Sequence, residues 1–284
     1  MEIKLIECPR DAMQGMKDFV PTATKAAYIN SLLKVGFDTI DFGSFVSPKA
    51  IPQLRDTAEV LAALDLSHTE SKLLAIVANK RGAVDACEFE EIDYLGFPFS
   101  ISETFQQRNT NSSIEESLSR VEEIQELCTK HGKKAVIYIS MAFGNPYGEH
   151  WHPDIAIQWS ERLHKDLEID IIALSDTIGV SAPENITPMF QSVIKELPGV
   201  EFGAHLHTTP TTWEEKVESA YDAGCRRFDG AIKGFGGCPM AKDELTGNMP
   251  TERMVEWFGT KKIPTRVDRD LFELAMNQSA SVFG

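Results

Sequence analysis

The sequence has no apolar run approaching the ~18 residues that a membrane span requires. Its first residues, Met1-Glu2-Ile3-Lys4-Leu5-Ile6-Glu7, show no basic segment followed by a long apolar stretch, so no export signal is expected. Positive charge is scarce. Lys and Arg number 28 against 43 Asp and Glu, a net charge of -15. Such a surface repels phosphate backbones and anionic headgroups, which argues against nucleic-acid and membrane-surface partners. Cysteine is sparse and odd in number: Cys8, Cys87, Cys128, Cys225 and Cys238. That spread predicts free thiols in a reducing cytoplasm rather than a disulfide framework. No Gly/Ser/Pro linker, charge block or low-complexity tract divides the chain.

What is present is ordinary globular material, 42% hydrophobic and 25% charged over 284 residues. Short β-rich apolar runs recur at 3–8, 38–42, 72–77, 91–95, 134–142, 169–174, 200–205 and 227–231. Helical patterns fall between them, at 22–35, 50–64, 80–87, 113–131, 153–167, 183–196 and 211–223. An eighth begins at Pro250, since proline suits a first helical turn. Eight alternations imply parallel strands joined by right-handed crossovers. In this length they fit an α/β fold, a closed (β/α)8 barrel of the TIM type, better than an open sheet. The chain reads as one domain, 1–284, in which 263–284 forms a C-terminal helical extension.

In such a barrel the chemistry gathers at the C-terminal ends of the strands. Strand 7 ends Gly203-Ala204-His205-Leu206-His207. Residues i and i+2 of a strand share a face, so His205 and His207 can grip one divalent ion, or serve as two hydrogen-bonded polar residues. His150 and His152 lie in a loop, where the same spacing fixes no common face; they read as surface or rim residues. After strand 1 come Arg10 and Asp11, with Gln14 close behind. They form either a surface ion pair or, in a barrel mouth, a hard oxygen ligand beside a guanidinium that holds developing negative charge. Strand 8 leads into Lys233-Gly234-Phe235-Gly236-Gly237-Cys238-Pro239 and on to Gly247-Asn248. Glycines this dense mark unusual backbone angles or mobility. Cys238 is there either a small filler or a proton donor that arrives on loop closure. Asn248 offers a carboxamide oxygen. Asp41 and Asp176, after strands 2 and 6, are two more rim carboxylates, or caps of the following turns. Phe45, Phe97 and Phe105 read as core or pocket lining.

Taken together, Pro9-Arg10-Asp11, Ser44-Phe45-Val46-Ser47-Pro48-Lys49, Ser113-Ile114-Glu115-Glu116-Ser117, Asp176-Thr177-Ile178-Gly179, His205-Leu206-His207 and Gly236-Gly237-Cys238-Pro239 through Gly247-Asn248 resemble the 3-hydroxy-3-methylglutaryl-CoA lyases. These runs occur in that family's order over residues 5 to about 258. The resemblance implies that Asp11, His205, His207 and Asn248 hold a divalent metal, Mg²⁺ or Mn²⁺ before Zn²⁺, Co²⁺ or Fe²⁺. It implies that Arg10 stabilises an enolate, with Gln14 beside it at the substrate, and that Cys238 is the catalytic cysteine of a mobile loop. Asp176 matches an acidic residue of the active site, and Asp41 stands where the family has glutamate. The chain departs from the family at Thr208-Thr209-Pro210-Thr211, in place of Asp-Thr-Tyr-Gly, and at Ala12-Met13, in place of Gly-Leu.

The implied reaction is a retro-Claisen cleavage of an acyl-CoA to acetoacetate and acetyl-CoA, with His205, Asp41 or Asp176 as the base. Rival readings are a Claisen-type acyl-CoA synthase, a lyase for a related 3-hydroxyacyl-CoA, a metal-free thiol hydrolase built on Cys238, and an inactive binding barrel. Lys17 and Lys49 are candidates to meet the CoA phosphates. A homodimer is expected from apolar residues near the C-terminus.

Overall fold

A computed structural model describes residues 2–237 and 246–284. Eight parallel strands close on themselves in sequence order: β1 (Lys4–Glu7), β2 (Thr39–Ser44), β3 (Lys72–Ile76), β4 (Tyr94–Ser100), β5 (Lys134–Ser140), β6 (Ile171–Asp176), β7 (Glu201–Leu206) and β8 (Arg227–Gly230). The seam is a four-residue register from Lys4↔Arg227 to Glu7↔Gly230. The helices are α1 (Pro9–Gln14), α2 (Thr22–Leu32), α3 (Thr57–Ala62), α4 (Lys80–Cys87), α5 (Glu103–Thr110), α6 (Ile114–Lys130), α7 (Pro153–Leu167), α8 (Pro183–Glu196), α9 (Trp213–Asp222), α10 (Thr251–Thr260) and α11 (Arg269–Phe283). The expected (β/α)8 barrel with a C-terminal helix is therefore what the chain forms.

Local chemistry explains where the elements start. Ser113 and Glu116 form a reciprocal capping box at α6, Asn79 accepts the Gly82 N–H ahead of α4, and His152 accepts the Asp154 N–H ahead of α7. His152 is thus a surface cap, as its loop position suggested. Strand alternation then sorts the apolar residues. Leu74, Ile76, Val136, Tyr138, Ile171 and Ala173 face inward and fill the lumen, while the opposite faces pack against the helices. At the lower end Arg227 is buried in the lumen and reaches Glu201 at 3.3 Å.

Several boundaries differ from the sequence reading. The expected strand at 91–95 lies at 94–100, running through Pro98. Pairing with β3 stops at Gly96, so proline sits where one side of the ladder has already ended. The helix expected at 50–64 becomes a 3-10 turn (Pro52–Leu54) and α3: Ile51, ahead of the proline, is extended, and Asp56 leaves helical angles between the two. Helices α1 and α5 were not anticipated. Arg10 and Asp11 consequently sit in the first turn after β1 rather than at its tip. The extension α11 packs on α2, with Phe283 edge-on to Tyr28 and stacked on Phe235.

Candidate active site

At the C-terminal ends of the strands lies a cavity of about 220 Å³. One side is polar, lined by Arg10, Asp11, Gln14, His205, His207, Ser140, Ser175 and Thr177. The other is mainly apolar, formed by Val46, Ile51, Ile76, Pro98 and Phe105, with Asn109 and Thr110 beside them.

The two histidines share a face, with ring centroids 5.5 Å apart. Each has its Nδ1 engaged: that of His207 donates to the Thr177 carbonyl at 2.9 Å, and that of His205 to Asp229 Oδ2 at 3.1 Å. These bonds fix the tautomers and leave both Nε2 lone pairs free, the arrangement that metal-ligating histidines adopt. Ligand atoms of Asp11, His205 and His207 all lie within 4.8 Å of one another. The donor set, two imidazoles and a carboxylate, fits a divalent cation.

The charges of the site reinforce this arrangement. Burial alone would raise the Asp11 carboxyl, but Arg10, His205 and His207 hold it below the ordinary carboxylate range. Burial and the neighbouring His205 depress His207, which keeps its imidazole neutral and available as a ligand. Burial pulls His205 downward as well, yet the Asp229 hydrogen bond and charge outweigh it and raise the pKa. Burial lifts Asp41 to about 6 against the opposing pull of Arg10.

Arg10 is held from three sides. Its Nε and Nη2 donate to Asp41 at 2.5–3.1 Å, while Nη1 donates to Asp11 Oδ1 and to Gln14 Oε1, both at 3.1 Å. Gln14 Nε2 closes the ring on Asp11 at 2.6 Å. This clamp presents a rigid guanidinium to the cavity wall. Asp41 itself is 1% exposed and turned to Arg10 rather than to the cavity. Asn248 stands beside the cluster, but it presents Nδ2, which donates to Asp11 Oδ2 at 2.7 Å and to the Phe235 carbonyl at 2.8 Å. In this placement it braces a ligand instead of offering its oxygen.

Asp176, expected at the rim as an acid, a base or a turn cap, is not among the residues that line the cavity. Its carboxylate accepts the Val180 and Ser181 N–H groups and the Ser181 hydroxyl, and pairs with the buried Lys216 ammonium at 2.8 Å. Lys216 also donates to the His207 carbonyl at 2.7 Å. Asp176 therefore anchors the backbone that carries His207 and Thr177. Lys17 and Lys49 are both exposed. Cys238 lies outside the described residues; its neighbour Gly237 lines the cavity. Sequence reasoning missed Asp229, a carboxylate between Phe228 and Gly230; the available signal was its place in the eighth strand, near the end that faces the barrel mouth. The four described cysteines are free and buried. Among the described residues no helix is long and apolar enough to cross a membrane.

A family model described as HMGL-like matches residues 3–277. The cytoplasmic 3-hydroxy-3-methylglutaryl-CoA lyase of Rattus norvegicus is 33% identical over 267 residues, covering 94% of this chain and 77% of that protein. The 3-hydroxy-3-isohexenylglutaryl-CoA/hydroxymethylglutaryl-CoA lyase of Pseudomonas aeruginosa is 31% identical and covers all of this chain and 93% of its own. The structure of an HMG-CoA lyase from Acinetobacter baumannii, in complex with coenzyme A and 3-methylmalate, superposes with a TM-score of 0.90 at 31% identity. It covers 99% of this chain and 92% of its own.

Proposed function

The chain belongs to the HMGL-like family, and from that premise we propose that it is a carbon–carbon lyase cleaving 3-hydroxy-3-methylglutaryl-CoA to acetoacetate and acetyl-CoA. The observation that carries this reading is the convergence of Arg10, Asp11, His205 and His207 on one cavity of the barrel mouth.

Asp11, His205 and His207 would hold a divalent cation, Mg²⁺ or Mn²⁺, with Asn248 as a fourth donor after a half-turn of its carboxamide. When bound, such an ion acidifies a coordinated hydroxyl and polarises a neighbouring oxygen. The residues of the chain do the rest. A base takes the proton of the tertiary 3-hydroxyl, and the C2–C3 bond breaks as the C3–O bond becomes a carbonyl. Its electron pair passes to C2 and into the thioester as an enolate. Arg10, tethered by Asp41, Asp11 and Gln14, is preorganised for that charge, and loss of such a donor costs about 10²–10³-fold in rate. Cys238 then delivers a proton to C2, giving acetyl-CoA.

Of the expected bases, His205 is the one that lines the cavity; were its Nε2 to take the proton in place of the cation, Asp229 would stabilise the resulting imidazolium. Base and ligand are alternative employments of the same Nε2. A His205→Gln variant that binds metal but does not turn over assigns the base; loss of both assigns the ligand.

The apolar side of the cavity favours a second reading within the same chemistry, a substrate with a longer C3 branch than methyl. Residence in the cytoplasm and a homodimer are proposed alongside, the latter to be read from the mass of the purified protein in solution. The test of function is a lyase assay with 3-hydroxy-3-methylglutaryl-CoA and a longer-branched homologue, following acetyl-CoA with and without Mg²⁺. Formation of acetyl-CoA from either substrate, lost on chelation and regained on metal addition, supports the reading. Full activity after thorough chelation rejects its metal, and inertness toward both substrates rejects the lyase.

A further inference from the structure

Away from the cavity lies a carboxylate whose described hydrogen-bond partners include no cation. Glu7, the last residue of β1, is fully buried. Its Oε1 accepts the Ile232 N–H at 2.8 Å and its Oε2 the Thr251 hydroxyl at 2.6 Å. Burial pushes this carboxyl up to about 8, so keeping it here is costly, and an apolar side chain of the same size would pack without that cost.

What Glu7 touches is informative. Ile232 and Thr251 are the two ends of the segment that contains Gly236, Gly237, Cys238 and Asn248. The ends also join each other. The Ala231 N–H donates to the Met249 carbonyl at 2.9 Å, and the Thr251 N–H to the Ala231 carbonyl at 3.2 Å. Further along, Thr208 and Gly247 exchange both backbone hydrogen bonds, at 2.8 and 2.9 Å. The neck is tight enough that a Cβ on Gly247 would lie 2.4 Å from the Gly234 carbonyl oxygen, and one on Gly230 would lie 2.8 Å from Thr251 Oγ1. From this neck Asn248 reaches Asp11 at 2.7 Å.

We infer that Glu7 is a positioning residue: it fastens both ends of the 232–251 segment to β1 and so sets Asn248 and Gly237 over the Asp11–His205–His207 cluster. Asp11 follows Glu7 by four residues, which places clasp and ligand on one short, rigid stretch of chain. The inference rests on the lyase reading only for its turnover arm.

The test compares Glu7→Met, which keeps length and loses both acceptors, with Glu7→Gln. In the latter the amide oxygen accepts from Ile232, and Nε2 donates to the Thr251 hydroxyl, which can act as donor or acceptor. Hydrogen exchange is followed over 229–237 and 246–251 and over β3–β5, with calorimetric Mn²⁺ affinity and with kcat and KM. In Glu7→Met, exchange in 232–237 and 246–251 accelerates about tenfold while β3–β5 stays as in the parent. Mn²⁺ affinity falls about tenfold, as for loss of a group that orients a ligand, and kcat falls by more than KM rises. Glu7→Gln restores all three. Thr251→Val, which removes one arm, reports the same pattern in smaller measure should Glu7→Met not fold. Parent-like exchange in 232–237 and 246–251, equal acceleration across the whole barrel, or failure of Glu7→Gln to rescue would each overturn the inference. If the parent itself lacks lyase activity, the lyase reading falls, while exchange and Mn²⁺ affinity still decide the role of Glu7.

Discussion

Replacing Lys216 by methionine removes the cation from a buried pair in which both side chains are 1% exposed. The Asp176 carboxylate then keeps its three hydrogen bonds from Val180 and Ser181 but loses its counter-charge. Breaking a buried pair from one side costs about 3–5 kcal/mol. With an unfolding entropy near 2.1 cal/mol/K per residue, that corresponds to a fall of roughly 5–8 °C in Tm for a chain of this length. Asp176→Asn should also destabilise, because its Nδ2 meets either the Lys216 ammonium and the Ser181 N–H or, with the amide flipped, the Val180 N–H, donor against donor. The double variant, with neither charge, should lose clearly less than the sum of the singles. Thermal unfolding of the three variants, beside their turnover, separates an anchor from an acid or base. An Asp176→Asn protein with parent-like Tm and collapsed turnover would refute the reasoning and return Asp176 to the chemistry.

Three further outcomes are expected. Asp229→Asn should weaken Mn²⁺ binding about 10–100-fold by calorimetry, since the His205 ring loses the group that fixes its tautomer. Cys238→Ala should lower turnover steeply while metal affinity holds; unchanged turnover removes the thiol from the scheme. Glu7 should make stability depend on pH. Its folded pKa, about 8, lies above the unfolded value near 4.5, so the folded protein binds the extra proton and loses stability as pH rises from about 4.5 to about 8. The loss is on the order of a few kcal/mol, and Glu7→Gln should flatten the Tm profile over that window.

Much of the fold was legible because its signals are local. Helices α4, α7 and α8 fall where expected, with Asn79 and His152 as caps and Pro153 and Pro183 opening their helices. The displaced β4 was hidden by Pro98, which reads as a strand breaker until its neighbour is seen to end. The clustering of Arg10, Asp11, His205 and His207 was legible too, since strand ends of a closed barrel converge. What stayed hidden depends on partners distant in sequence. Asp176 looks identical as an acid or as an anchor, because the lysine that decides the matter is 40 positions on. Lys216 in turn reads as the solvent face of an amphipathic helix. Glu7 reads as a strand-end residue until Ile232 and Thr251, more than 220 positions away, are seen to donate to it.

The claim on which the account depends is that one divalent cation is shared by Asp11, His205 and His207. The most direct measurement is pulsed electron paramagnetic resonance of the Mn²⁺-loaded protein with ¹⁵N-labelled histidine. The account predicts modulation from two directly bonded imidazole nitrogens, reduced to one in His207→Ala. A Mn²⁺ signal without histidine coupling, or coupling unchanged in that variant, would contradict it.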